Sequence, residues 1–426
     1  MYVLPQNSVV EIDPTNELLA ASMPNGRVSY RRNVGSPVSG LAADRIVRVN
    51  DIKELRPDYI VLSGAVHYER DIQSLLSDMH GLSHPGTRLI MTYYSSVWRP
   101  ITTLAFWLGL RKKTPETNWL AHEDISNLLA LEGFELVRWD SKVLLPLYIP
   151  VLSDLVNRYL APLPFFRMFS LVNIVVVRPL FPVDTDRPSV SVVVPARNEA
   201  GNIRQIVDRV PAMGPKDEII FVEGNSTDDT WEVIQRVQRE SGGGRNISIC
   251  QQEGKGKGDA VRKGFSLARN EILMILDADM TVPPEDLPKF YAALTSGKGE
   301  FINGSRLVYP MEKEAMRFFN IIGNKFFAAA FSFVLGQRFK DTLCGTKVLS
   351  RENYNKVVAN RSYFGEFDPF GDFDLIFGAS RMGLKIVEVP INYRERVYGE
   401  TNISRWRHGA ILLAMLIFAA RRIKFV

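Results

Sequence analysis

The chain has 426 residues, of which 46% are hydrophobic and 23% charged, with 30 glycines and 24 prolines. That is more than one ordinary domain and enough apolar material for sizeable cores, and it excludes disordered, collagen-like and low-complexity chains. Two cysteines exclude a disulfide framework, and the histidines at 67, 80, 84, 122 and 408 show no zinc-binding spacing. The net charge of +5 is matched by the stretch 394–426 alone, so the remainder is near neutral. A nucleic-acid partner, which calls for a broader basic surface with stacking aromatics, is not expected.

Met1–Pro14 lacks the basic flank and apolar core of a signal peptide, so a cytoplasmic protein is expected. The segment 58–64 (DYIVLSG) has the composition of a buried strand. Ile72, Leu75, Leu76 and Met79 then recur at helical spacing within 70–82. His84-Pro85-Gly86 makes a turn into a strand at 88–92; a helix over 122–131 and a strand over 134–139 follow. This alternation suits a mostly parallel sheet.

The run 58–95 resembles the second half of a class I S-adenosylmethionine-dependent methyltransferase, and 165–179 resembles that fold's closing hairpin. The resemblance implies an incomplete Rossmann-like domain over 1–180. The family holds its cofactor in a glycine-rich turn after the first strand, where the backbone must approach the ligand closely. Here VVEIDPTNELL places Pro14-Thr15-Asn16 after the strand and no glycine. Either this strand is the family's second, with Asp13 meeting the ribose, or the turn has degenerated. On both readings S-adenosylmethionine binding is not expected.

The segment RPLFPVDTDRP, 178–188, marks the boundary, with 181–188 as linker and 189–426 as the second unit. Strands are predicted at 190–194, 219–222, 247–250 and 272–276, each followed by polar residues. Ligands bind at such carboxyl ends in open α/β sheets. Asp277 and Asp279 close the fourth strand; one carboxylate can touch Mg²⁺ or Mn²⁺ while the other bonds a ribose or sugar, although DxD alone is a common strand-end turn. Lys255, Lys257 and Arg262, among three glycines, offer a phosphate cradle that is not a P-loop, or else a solvated loop.

Together these motifs resemble family-2 glycosyltransferases of the GT-A fold, and within them the polyprenyl (dolichyl) phosphate sugar transferases. PARNEAGNI, from Pro195 and Ala196 through Glu199, matches the opening donor segment; VEGNSTDDT with Glu223 and LDADMTVPPEDL match later ones. The similarity continues through Gly304-Ser305-Arg306, DTLCGTK at 341–347, 373–396 and 399–409. Gly224 departs from the family's second acid, which leaves the nucleobase open. The resemblance implies a nucleotide-sugar donor of GDP-mannose or UDP-glucose type and a polyprenyl phosphate or other lipid-linked acceptor. It implies donor contacts from Pro195, Ala196, Glu199, Glu223, Lys257, Asp277 and Asp279. The metal would be held by Asp279 and Asp277. On the acceptor side it implies Asp374, with Asp372 as competitor, and Arg306; Arg394 and Arg396 would position phosphates.

The phenylalanine-rich stretch 311–335 is read as helix, packing in the core or facing lipid near the acceptor. Ala410–Ala420 is too short to span a bilayer, but with Arg421, Arg422 and Lys424 it can lie at a membrane surface, or dock on the domain. The expectation is therefore metal-dependent, inverting sugar transfer by a peripheral protein at the cytoplasmic face of a membrane. Transfer to a glycan or lipid hydroxyl, and a noncatalytic carbohydrate-binding scaffold, are the alternatives.

Overall fold

The computed structural model describes residues 7–12, 27–31, 54–109, 118–183, 186–242, 244–309, 318–361, 373–394 and 405–425, with the single positions 3, 19, 22, 23, 371, 396 and 398. The protein is α/β throughout and divides into two compact units, 1–182 with 421–426, and 183–420. Residues 421–426, expected with the second unit, thus pack with the first.

The first unit carries strands β1 (Ser8–Ile12), β2 (Arg27–Arg31), β3 (Tyr59–Ser63), β4 (Arg88–Tyr94), β5 (Phe134–Lys142) and β6 (Val172–Pro179), in the sheet order β2-β1-β3-β4-β6-β5. The first four are parallel, and β6 enters antiparallel between β4 and β5. Because β2 lies outside β1 and β3 on its other side, β1 takes the place of the first strand in a doubly wound order. The turn after it, including Asp13, lies outside the described residues. The Ile72–Leu82 helix begins where Asp71 accepts from Ser74 N (2.9 Å), and its Leu75, Leu76 and Met79 bury one face against the sheet's core. Full burial contributes about 1.5–3 kcal/mol per large apolar side chain, which fixes this face inward.

The second unit carries β7 (Val190–Ala196), β8 (Glu218–Glu223), β9 (Asn246–Gln251), β10 (Ile272–Ile275), β11 (Phe301–Ser305), β12 (Lys347–Ser350) and β13 (Ile386–Pro390). Their order is β13-β11-β12-β10-β7-β8-β9, with β12 antiparallel to both neighbours. The chain runs outward from β7 through β8 to β9, then returns to lay β10 on the other side of β7. The order therefore reverses between β7 and β10, and a crevice opens there at the strands' carboxyl ends. The Thr230–Glu240 and Lys257–Leu267 helices cover the sheet with Val233, Ile234 and Val237, and with Val261 and Phe265.

The Phe318–Leu335 helix buries Phe331 against Phe373 and Phe377, while Phe326 and Ile322 are exposed. It also packs against the Arg405–Ala419 helix, whose Leu412, Met415 and Ala419 are buried. Both stretches are thus amphipathic, with a core face and an exposed one. No helix among the described residues is long and apolar enough to cross a membrane.

Candidate active site

The last residue of β10 is followed by Leu276, whose N donates to Val193 O (3.0 Å), so pairing with β7 persists until Asp277 leaves the sheet. Lys257 is the first residue of its helix, and its Nζ lies 2.6 Å from Asp277 Oδ1. Burial opposes ionisation of Asp277, but the charge and hydrogen bond of Lys257, with Lys347 and Arg306 behind it, hold the carboxyl below its ordinary range. Gly345 closes this pair from the other side. A Cβ there would stand 1.9 Å from Asp277 Oδ2 and 2.4 Å from Lys257 Nζ, so any other residue would push the ends of this pair aside.

Asp279 Oδ1 accepts from Thr281 N (3.1 Å) and Thr281 Oγ1 (2.8 Å). Its Oδ2 lies 2.9 Å from Arg396 Nη2, and Arg396 Nη1 lies 3.1 Å from Glu199 Oε1. One guanidinium therefore bridges the acids after β7 and β10. Asn202 Nδ2 donates to Glu199 Oε2 (2.8 Å). Burial pushes the Glu199 carboxyl up to about 7, against the pull of Arg396. In the described part of this unit the non-glycine residues with positive φ are Asn198 (56°), Asn225 (56°) and Met280 (59°), in the loops after β7, β8 and β10. Such backbone strain clusters where a binding site over-determines its loops.

Of the remaining predicted residues, Pro195 and Ala196 form the end of β7, and Gly224 N donates to Ala196 O (2.8 Å). Glu223 is buried, with Oε1 accepting from Ser226 N (2.5 Å) in the following loop and Oε2 from Gln251 Nε2 (2.9 Å) at the end of β9. Arg306 makes a two-pronged pair with buried Asp341, Nε to Oδ2 at 2.6 Å and Nη2 to Oδ1 at 2.8 Å. Arg394 is exposed, and its backbone N donates to Thr281 O (3.0 Å), which lays this segment beside the Asp279 turn. Asp374 pairs with Arg361 and lines a small cavity with Gly258, Arg262 and Tyr354. The chain just before it rests on the residue after Lys257, since a Cβ at Gly371 would lie 2.4 Å from Gly258 Cα. Asp372 lies outside the described residues.

The donor set suits a hard cation only in part. No group of three His, Cys, Asp or Glu that could hold a metal occurs among the described residues. Asp279 and Asp277 offer carboxylate oxygens, each already matched to a side-chain cation. This fits an ion whose remaining ligands are substrate phosphates and water, as Mg²⁺ commonly takes, rather than an all-protein cage.

Sequence reasoning missed Asp341, Lys347 and Arg361 as individual residues. Asp341 and Lys347 were visible only as the ends of DTLCGTK, and nothing in spacing joins Arg361 to Asp374. Burial also settles Cys344, whose thiol is pushed up to about 12 and stays protonated.

Acids and paired cations thus gather at the switch point of a mixed α/β sheet. Residues 191–358, which lie within the second unit, match the model of glycosyl transferase family 2. Glycosyltransferase AglJ of Haloferax volcanii is 28% identical over 55% of this chain and 72% of its own. The dolichol-phosphate mannosyltransferase of Pyrococcus furiosus is 29% identical over 50% and 59%, respectively, so the chain spans little more than half of that relative. Glucosyl-3-phosphoglycerate synthase from Mycobacterium tuberculosis, solved with Mn²⁺, UDP-glucose and phosphoglyceric acid, is similar over 55% of this chain and 79% of its own, at 19% identity and a TM-score of 0.41.

Proposed function

We propose that the second unit transfers a sugar, with inversion, from a nucleotide-sugar donor to a polyprenyl phosphate presented at a membrane surface. The observation that carries this is the bridge of Arg396 between Glu199 and Asp279, beside the Lys257–Asp277 pair. Two acids and two cations at the switch point match the alternating charge of a diphosphate and its counter-ion. A bound Mg²⁺ or Mn²⁺, held by Asp279 with Asp277 beside it, would neutralise the departing diphosphate. Lys257 and Arg396 then meet phosphate oxygens, and Glu199 accepts from the ribose or base. Acceptor phosphate is already anionic and needs positioning more than deprotonation. Asp374 supports that choice over a hydroxyl acceptor, because its carboxylate is engaged by Arg361, a phosphate-binding residue type. The similarity to a dolichol-phosphate mannosyltransferase and to a dolichyl-phosphate hexose transferase points the same way.

For the first unit we propose a methyltransferase-like fold without a complete cofactor site. Its strand order supports the fold, and the glycine-free sequence after β1 argues against the cofactor. The deciding experiment incubates purified protein with Mg²⁺ or Mn²⁺, a panel of nucleotide sugars and polyprenyl phosphate, and reads the lipid by mass spectrometry. A mass gain of one hexose on the lipid is expected. Donor hydrolysis with no modified lipid would defeat the acceptor assignment.

A further inference from the structure

The first unit exposes apolar side chains in two segments that touch each other. The Arg99–Trp107 helix has no buried residue, and Ile101, Leu104, Phe106 and Trp107 are exposed, Trp107 by 77%. In the second segment, 145–169, Tyr148 is 85% and Val151 70% exposed, with Leu147, Leu152 and Leu155 also exposed. Trp98 Nε1 donates to Phe169 O (2.7 Å) and Ser95 N to Leu171 O (2.8 Å), which joins the two segments. Scattered exposed leucines are ordinary, but this many exposed apolar side chains on two hydrogen-bonded segments mark an interaction face.

The second segment is built to leave water. Leu145 N donates to Asn157 Oδ1 (2.8 Å) and Asn157 Nδ2 returns to Leu145 O (2.9 Å). Ser153 Oγ accepts from Ile149 N (2.8 Å) and donates to Leu147 O. The loop thus satisfies its own backbone groups at the points where its side chains are most apolar, as a low-dielectric surrounding demands. The accompanying charge is cationic. Among the described residues of the two segments, Arg99, Arg158 and Arg167 stand against the single acid Asp154. Exposed Arg421 and Arg422 belong to the same unit, and the tail reaches the loop where Arg158 Nε donates to Phe425 O (2.8 Å).

We infer that this face docks on an anionic phospholipid bilayer, with Trp107, Tyr148 and the leucines in the headgroup–acyl boundary and the arginines at the headgroups. The inference rests on the membrane-surface part of the function proposed above and names the surface responsible. Charge complementarity decides the occupant: exposed apolar and aromatic side chains accompanied by Arg99, Arg158, Arg421 and Arg422 against one acid, Asp154, match anionic lipid.

The test is flotation of the full-length protein with vesicles of phosphatidylcholine and phosphatidylglycerol, without polyprenyl phosphate. The double substitution Trp107→Glu with Leu152→Glu is expected to weaken vesicle affinity about tenfold or more, since two large side chains lose their apolar contact. Leu131→Glu, at an exposed leucine outside this face, is expected to leave affinity unchanged. Brominated lipid should quench the wild-type fluorescence more than that of Trp107→Phe. Sugar transfer to a detergent-dispersed acceptor should survive the double substitution, which separates docking from chemistry. Unchanged flotation of the double variant overturns the inference, as does wild-type protein that stays off the vesicles while remaining active in detergent. Concentration-dependent self-association without lipid, lost in the double variant, would assign the face to a second copy of the chain and also overturn it.

Discussion

Arg396 Nη2 lies 2.9 Å from Asp279 Oδ2, so the carboxylate proposed to meet a divalent cation meets a guanidinium first. A cation and Arg396 therefore compete for that oxygen, until a diphosphate gives the arginine another partner. Arg396→Gln is expected to tighten Mn²⁺ binding to the donor-free protein severalfold, about 1 kcal/mol for a partly exposed pair. The same substitution should lower turnover with donor, because a phosphate contact is lost. Calorimetric titration of Mn²⁺ beside steady-state kinetics checks both signs; parallel losses of metal and donor affinity would remove the competition from the scheme.

Asp279→Asn and Asp277→Asn separate the two acids. The first should abolish most cation-dependent turnover, since an amide is a poorer hard-metal ligand. The second leaves Lys257 without its 2.6 Å partner and should act mainly through donor affinity. Near-normal kinetics and metal dependence in both variants would count against the whole site.

Gly345→Ala probes the same pair without changing any charge. Its Cβ would fall 1.9 Å from Asp277 Oδ2, so the carboxylate or the 341–347 loop must move. Turnover is expected to fall at least about tenfold, because displacements of this kind disturb reacting geometry well beyond their size. Asp277 and Lys257 are flexible enough at their ends for the fold to persist, which circular dichroism and thermal unfolding should show. Wild-type turnover in a folded Gly345→Ala protein would mean that the closure around Asp277 is incidental.

The second sheet was largely legible in the sequence because each β-branched run ends in a polar loop, and period and punctuation both survive in one dimension. Asp277, Asp279 and Lys257 were visible for the same reason: they sit at strand or helix ends. What hid from the sequence were relationships made by the crossing of distant segments. Nothing in the spacing of Arg396 says that it returns to Glu199, 197 positions earlier, or that Arg306 meets Asp341. Glu223, implied as a donor contact by the resemblance, bonds Ser226 in the loop after β8 and Gln251 on β9, neither of which its spacing announces. The Arg99–Trp107 helix escaped because a helix with no buried residue has no strong inward stripe to give it a period.

Glu199 gives a pH dependence with a definite sign. Its carboxyl is raised by burial from an ordinary 4.5 to about 7, and only the ionised form accepts at both oxygens, as a donor's ribose or base edge requires. The donor's kcat/KM, which reports groups of the free enzyme, is expected to rise as pH passes upward through about 7 and then level off. Glu199→Gln should flatten that limb. Stability runs the other way: between 4.5 and about 7 the folded state holds a proton that the unfolded chain has lost, so stability declines as pH rises through this window. A rising limb that persists unchanged in Glu199→Gln belongs to another group.

Lys424 was expected at lipid headgroups with Arg421 and Arg422, but its side chain is buried and its Nζ lies 2.6 Å from Asp140 Oδ1. Asp140 also takes Arg138 Nε at 2.5 Å, so the carboxylate sits between two cations inside the first unit. Removing one partner of a buried pair leaves the other desolvated, and Lys424→Met is expected to destabilise the first unit by about 3 kcal/mol, the lower end for such losses because Arg138 remains. Arg421→Ser, at an exposed position, should cost little. Thermal unfolding of the full-length variants, followed by tryptophan fluorescence, makes the comparison. The same pair governs how a tail deletion must be read. A chain ending at Gly409 loses Lys424 together with the exposed arginines, so weaker vesicle binding by that chain reports lost folding of the first unit as readily as lost lipid contact. Lys424→Met separates the two, because it removes the internal ion pair and leaves Arg421 and Arg422 in place. A Lys424→Met protein as stable as wild type would return this lysine to the list of membrane-facing cations.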